Sequence, residues 1–288
     1  MSELGTLVTV ANKRDALKVG TLAREVGIPL VVDSGAWSNF TGAAKITVTD
    51  HINWLKENWQ TGARHIGLDV IGNPDGTFTN WKKEREAGLA VEPTIHFGTD
   101  PRTVDKYLAE GLATEWVNLG GMAHLQKYPG KIRQLAAWCA AVIVRCPEGT
   151  KFHALGATTP ALNNLVTFDA VDATYWLQVH TWKRLGLFNP DTTEYVGITR
   201  QTQSKHFMAG QYQRIGKHSN FLKKHYGVSG QDVLNASEEL MIDLAIKSMW
   251  LWGEHYGKRS GKNILVYLAG SGPTHFPYLK KYNLKGNT

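Results

Sequence analysis

Residues 29–35 read PLVVDSG, a short β-branched run that ends on an aspartate and breaks at a serine–glycine turn. Helical patterns flank it at 13–26 and 48–61. The same grammar recurs along the chain. Further strand candidates are LVTVA (7–11), HIGLDV (65–70), VEPTIHF (91–97), EWVNL (115–119), KFHAL (151–155), FDAVD (168–172) and NILVYLA (263–269). Amphipathic patterns at 80–88, 101–112, 124–145 and 234–257 separate them, several preceded by an aspartate or threonine able to cap a helix. Eight strands alternating with helices predict an α/β fold with a parallel sheet buried on both sides, and a closed (β/α)8 TIM barrel is the arrangement expected. An open doubly wound sheet is the competing arrangement. Asp33, Asp69, Gly98, Gly120, Gly156 and Asp172 all fall at or just past the end of a strand candidate, the rim that carries active sites in barrels.

The remaining composition narrows the class. A chain of 288 residues with 42% hydrophobic and 20% charged content folds rather than remaining disordered, and no repeat or linker divides it, so one domain over 1–288 is expected. The segment MSELGTLVTVANKRD lacks the pattern of an export signal, and AAWCAAVIV (136–144) is too short to span a bilayer, which predicts a cytoplasmic protein with no membrane partner. Cys139 and Cys146 are the only cysteines, which excludes a four-cysteine zinc site and suits two small buried hydrophobes on one helix face.

The net charge of +7 is unevenly spread. Residues 182–231 carry a balance of +6, and 255–288 hold six Lys and Arg with no acidic side chain. Residues 177–233 lack a clear strand and read as a basic helical and loop insertion over the barrel mouth. Cations interleaved with Phe207, Tyr212, Phe221, Tyr226, Tyr256 and Tyr282 suit a polyanion with stackable bases, although a solvated basic surface has the same composition. Lys205, Arg214, Lys217, Lys223, Lys224, Lys258 and Arg259, with the loop GSGPTH (270–275), are the candidates for holding a nucleic-acid backbone.

Asp33, Asp69 and Asp172 end apolar strands in VVDSG, GLDVIGN and AVDATYW. An ionised carboxylate buried without compensation costs several kcal/mol, so three aimed at one rim point to a site, while each alone could simply cap the next helix. Glycines follow the strands almost one for one, and they allow a flat ligand to approach the backbone.

The ordered motifs DSGAW (33–37), GLDVIGN (67–73), TIHFG (94–98), NLGGMA (118–123), HALGA (153–157) and DAVDATYW (169–176) resemble the successive motifs of the tRNA-guanine transglycosylase superfamily. There the signatures look like DSGG, a strand-end aspartate, IVQGG, a GGLAVG-like loop, YLMGVG and DMFDC. The closest likeness is to compact phage members that act on DNA as 7-deazaguanine transglycosylases, whose last motif reads like SVDSTSW. The chain departs from the family at His96, where a glutamine is usual, at Leu155, where a methionine is usual, and in lacking the zinc ligands of the bacterial tRNA enzymes. The resemblance implies Asp172 as nucleophile, Asp33 as general acid and base, and Asp69 as the carboxylate gripping the guanine edge. A shifted alignment would make Asp169 the nucleophile. Ser34, Gly35, His96, Gly120, Gly121 and Gly156 would line the base site, with Leu155 and Tyr175 or Trp176 covering the ring. The implied partners are DNA with a flipped guanosine and a free 7-deazaguanine base, in a phage-infected host, with no cofactor and no metal. The rival readings are a tRNA-guanine enzyme, a metal-dependent barrel hydrolase using His96, His153 and a strand-end aspartate, and a non-enzymatic nucleic-acid-binding protein.

Overall fold

The computed structural model describes residues 2–112, 115–177, 179, 184–199 and 218–285. Eight strands form one curled, all-parallel sheet. They are β1 (Ser2–Thr9), β2 (Leu30–Asp33), β3 (Arg64–His65), β4 (Thr94–His96), β5 (Trp116–Gly120), β6 (Lys151–Ala154), β7 (Ala170–Ala173) and β10 (Ile264–Ala269). A separate hairpin pairs β8 (Arg184–Asn189) with β9 (Glu194–Thr199). The order in the large sheet is β3-β2-β1-β10-β7-β6-β5-β4. A parallel bridge between Ile66 and Glu92 joins the two edges, with Glu92 N–H donating to the His65 carbonyl (2.8 Å) and Gly67 N–H to the Glu92 carbonyl (2.9 Å). The (β/α)8 architecture expected from the sequence is therefore present.

All eight strand candidates lie at or beside an observed strand, with one informative offset. β1 begins at Ser2, not at residue 7. Its early residues hide the strand because Leu4 and Val8 face the helices while Glu3, Gly5 and Thr9 alternate with them toward the barrel axis. The helix expected from 80 starts at Pro74, where Asn73 accepts the Gly76 N–H (2.9 Å) and proline occupies the first turn. The helix Pro129–Ile143 carries Cys139, fully buried against Met122, and Cys146 lies just past its end, half-buried. Burial pushes the Cys139 thiol up to about 12 and that of Cys146 up to about 11, so neither is a ready nucleophile.

The insertion departs from expectation. Its described part contains the β8–β9 hairpin, where no strand was foreseen, together with short helical turns at Ser219–Phe221 and Gly230–Leu234. The hairpin packs on the outer helix Glu238–Ser260 and against the turn Tyr175–Leu177 that follows β7: Phe188 N–H donates to Ser248 Oγ (2.8 Å), and the Tyr226 hydroxyl donates to the Phe188 carbonyl (2.8 Å). No helix among the described residues is long and apolar enough to cross a membrane.

The main apolar core lies between sheet and helices, and the barrel axis is far more polar than the strand runs suggest. Val31, Ile66, Ala170 and Tyr267 form a small apolar cluster there. Around it Arg64 makes a bidentate pair with Glu92 (2.8 and 2.7 Å), lies 3.6 Å from the Trp116 ring, and reaches Asn118 Oδ1 at 3.3 Å. Asn118 Nδ2 in turn donates to Glu92 Oε2 at 3.1 Å. This network plugs the lower half of the barrel and leaves the carboxylate-bearing end to be shaped by the loops. Tyr267 completes the plug by packing closely against Gly5. A β-carbon at Gly5 would stand 2.6 Å from the Tyr267 ring and 2.8 Å from the Pro29 carbonyl oxygen. We predict that Gly5→Ala destabilises the fold by about 1–3 kcal/mol through overpacking, read as a lower denaturant midpoint. An unchanged midpoint would show that Tyr267 is free to move aside.

Candidate functional site

Strand direction decides where the acidic residues go. Asp33 closes β2, Asp172 lies in β7 and Asp69 follows β3, so all three belong to the C-terminal rim. Register brings Thr9 beside Asp33 on β1, and Tyr267 beside Asp172 on β10. Asp33 Oδ2 accepts the Gly35 N–H at 3.0 Å, and Gly35 adopts φ +83°, a left-handed conformation that turns the chain back into the helix Ala36–Phe40.

The carboxylates are close enough to repel one another. The Asp33 carboxyl is pushed up to about 6, first by removal from water and then by the charge of Asp69, with Asp172 adding to it. The Gly35 N–H and the Thr9 hydroxyl act in the opposite direction by donating to the ionised form. Asp33 is thus poised to carry a proton near neutral pH, while one oxygen stays fixed by backbone.

Asp69 is buried and clamped on both oxygens: Ser34 Oγ donates to Oδ1 (3.2 Å), and His96 Nε2 lies 2.7 Å from Oδ2. His96 reaches this position because residue 120 is glycine. A β-carbon at Gly120 would approach His96 Cδ2 to 2.9 Å. The Gly120 carbonyl is taken by the Phe97 N–H (2.9 Å), and Gly121 turns at φ +75° directly above. Ser34, Asp69, His96 and Gly120 thus form one hydrogen-bonded and close-packed arc along β2, β3, β4 and β5.

Asp172 faces this arc across the barrel. Its Oδ1 accepts the Gly156 N–H at 2.9 Å, and Gly156 takes φ +65° with Ala123 beside it. Oδ2 has no hydrogen-bond partner among the described residues. His153 Nε2 lies 3.2 Å from Oδ1 but out of line for a hydrogen bond, and both ring nitrogens of this fully buried histidine lack hydrogen-bond partners among the described residues. Burial pushes the His153 pKa down, against the opposite pull of the Asp172 carboxylate beside it. Leu155 packs half-buried on the axial cluster between the arc and Asp172.

Several residues singled out from sequence sit elsewhere. Asp169 enters β7 from the opposite end, where it accepts the Phe152 N–H (2.9 Å) and pairs with Lys262 (2.8 Å). It is a strut at the base of the barrel, three residues short of the rim. Tyr175 turns outward: its ring fills the space above Gly186 and lies 5.6 Å from Tyr195. Trp176 is buried behind the sheet, donating Nε1–H to the Ala269 carbonyl (3.2 Å). Neither ring covers the arc. Lys258 and Arg259 end the helix that feeds β10, and Arg259 clasps Asn164 (2.7 Å), so both belong to the face opposite the carboxylates. Lys224 is paired with Asp191 (2.8 Å) at the hairpin tip, and Lys223 is exposed beside it. The 270–275 loop spends its own donors, since Gly272 N–H is capped by His275 Nδ1 (3.0 Å) and Ser271 Oγ meets Thr6 Oγ1 (2.6 Å). Lys205, Arg214 and Lys217 lie outside the described residues.

Thr9 and the position of His153 under Asp172 were not foreseen. Thr9 ends an apolar strand just as the aspartates do, and counting strand-end hydroxyls with strand-end acids would have found it. Among the described residues no group of three or more His, Cys, Asp and Glu side chains could hold a metal ion. His96 and His153, the ligands of the metal-hydrolase reading, are directed to different carboxylates. Compared with known protein families and with curated proteins, the chain matches none.

The raised carboxyl has a measurable cost. Asp33 titrates near 6 in the folded chain and near 3.8 in its ordinary state, so its contribution is complete below about pH 4 and is lost as pH rises through 6. Asp33→Asn should therefore raise stability by about 2 kcal/mol at pH 8, with the gain vanishing near pH 4. Thermal melts at the two pH values check this; a variant less stable at pH 8 would contradict the repulsion.

Proposed function

We propose that this chain is a base-exchanging transglycosylase that replaces guanine in DNA by a 7-deazaguanine base through a covalent aspartyl–sugar intermediate. The observation that supports it most is the convergence of Asp33, Asp69 and Asp172 on one rim, with the Asp33 carboxyl raised to about 6 and one oxygen of Asp172 without a hydrogen-bond partner among the described residues. The motif order described above supports the choice of base and of polymer.

The chemistry follows from what each group can do. Exchange at C1′ with retention needs two inversions, so a carboxylate must attack the sugar and later leave it. Asp172 Oδ2 bonds to C1′ as the C1′–N9 bond breaks, and the bonding pair departs with guanine. The Gly156 N–H on Oδ1 holds the attacking group in one orientation. Asp33 donates its proton to the departing purine, then removes the N9 proton of the incoming 7-deazaguanine, which attacks C1′ and releases Asp172. A carboxyl with a pKa near 6 suits both halves, because proton transfer is most efficient when donor affinity lies near the working pH. Asp69 accepts from the adjacent N1–H and N2–H2 donors of guanine, with Ser34 and His96 fixing its plane. Adenine would leave those acceptors facing an unprotonated ring nitrogen, which discriminates by unpaired groups. A base inside a duplex cannot be attacked at C1′, so the nucleotide is flipped out or single-stranded DNA is used.

The test is incubation with labelled guanine and either DNA or tRNA, followed by denaturing gels for a covalent adduct. DNA should exchange guanine and form an adduct. Asp172→Asn should abolish it, Asp33→Asn should slow exchange about 100-fold or more, and Asp169→Asn should retain the adduct. Adduct formation by Asp172→Asn would overturn the assignment of the nucleophile, exchange on tRNA alone would overturn the polymer, and exchange on neither would overturn the reading.

A further inference from the structure

Among the described residues, the aromatic rings at least half exposed are Trp37 (59%), Phe40 (60%) and Tyr128 (50%). All three sit on segments that leave the C-terminal ends of strands, Trp37 and Phe40 after β2 and Tyr128 after β5. Those segments stand on either side of the Ser34–Asp69–His96 arc, because β3 and β4 lie between β2 and β5 around the ring. The fourth exposed ring, Trp59, is stacked on His65 at 3.8 Å before β3 and belongs to the opposite face.

The segment that carries the first pair is clamped although the rings are left in water. Trp37 and Phe40 are one turn apart, with ring centroids 5.7 Å from each other and planes tilted by 35°. Asn39 between them clamps the segment by donating to the Ile46 carbonyl (2.8 Å) and accepting the Ile46 N–H (2.8 Å), and Thr41 Oγ1 donates to the Trp37 carbonyl (3.0 Å). Gly35 at its root packs against Ile46. Cations accompany both platforms: Lys45 is exposed in the same segment, and Lys127 Nζ lies 5.0 Å over the Tyr128 ring. A fixed aromatic face beside a cation matches a nucleobase with its phosphate, since every base has a π face and every linkage a negative charge.

We propose that Trp37 and Phe40 form a stacking platform for the bases next to the extruded guanosine in single-stranded or locally unstacked DNA, with Tyr128 as a second contact across the mouth. The inference rests on the polynucleotide reading above and adds how the strand is held. Extruding one base leaves its neighbours with an exposed face, and the platform supplies the partner they lose.

The experiment uses the full chain carrying Asp172→Asn and fluorescence anisotropy of a short fluorescein-labelled single-stranded oligodeoxynucleotide with one guanine. Adding Trp37→Ala and Phe40→Ala should weaken binding about tenfold or more, while Trp37→Tyr should hold affinity within about twofold. The salt slope should stay unchanged, because no phosphate contact is removed. An oligonucleotide abasic on both sides of the guanine should bind the parent more weakly and be indifferent to the alanine changes. Unchanged affinity in the double variant, or an equal loss on the abasic strand, would overturn the platform. Because binding is read without turnover, wild-type exchange with unaltered double-variant binding discards only the platform. Platform-dependent binding without any exchange discards only the transglycosylase reading.

Discussion

Three carboxylates held within reach of one another's charge are the constraint on which the rest of this molecule turns. Bringing like charges together out of water is unfavourable, so each must be compensated locally, and the compensations define the site. Asp69 is answered by Ser34 and His96, Asp172 by the Gly156 N–H, and Asp33 by Gly35 N–H and Thr9, leaving Asp33 still raised to about 6. The glycines follow from the same arrangement. Residue 120 must lack a side chain for His96 to reach Asp69, and Gly35 and Gly156 must turn left-handed to aim an amide at a carboxylate.

The barrel makes this cluster tolerable by separating stability from chemistry. Apolar packing between sheet and helices surrounds the strands, and the Arg64–Glu92–Asn118 network fills the lower axis. Arg64 and Glu92 are worth keeping as a pair because removing either would strand a buried charge. Above this plug the strand ends are free to carry groups that a folding chain alone would not select. The buried His153, with Nε2 3.2 Å from Asp172 Oδ1, sits at the junction between the two regions.

Much of this was legible in the sequence, for definite reasons. Outward-facing strand residues such as Leu4, Val31's neighbours Leu30 and Val32, and Leu119 give apolar runs that helices interrupt at regular distances, which is enough for the fold class. Strand-end aspartates at 33, 69 and 172 could be recognised because an acid after an apolar run is costly in any context. Asp169 could be separated from Asp172 only by strand alternation, and the Lys262 pair now accounts for it. The polar axis was not legible: Arg64, Glu92 and Asn118 are distant in sequence and look like ordinary surface residues until the sheet curls. Side-chain direction at strand ends is equally hidden in sequence: Tyr175 and Trp176 directly follow β7 and face the hairpin and the outer layer. Charge counted along the chain likewise does not say which end of a barrel it occupies, and Lys258 and Arg259 occupy the end opposite the carboxylates.

The central claim is that Asp33 and Asp69 share one electrostatic environment. Carbon-13 NMR of aspartate-labelled protein titrated between pH 3 and 8 reads it directly, with Asp33→Asn identifying the resonance. One carboxyl should titrate at about 6, and its midpoint should fall when Asp69 is replaced by Asn, while burial and Asp172 keep it above the ordinary value. An Asp33 resonance with an ordinary midpoint that ignores the Asp69 substitution would mean that the carboxylates do not meet, and the account of the site would fail with it.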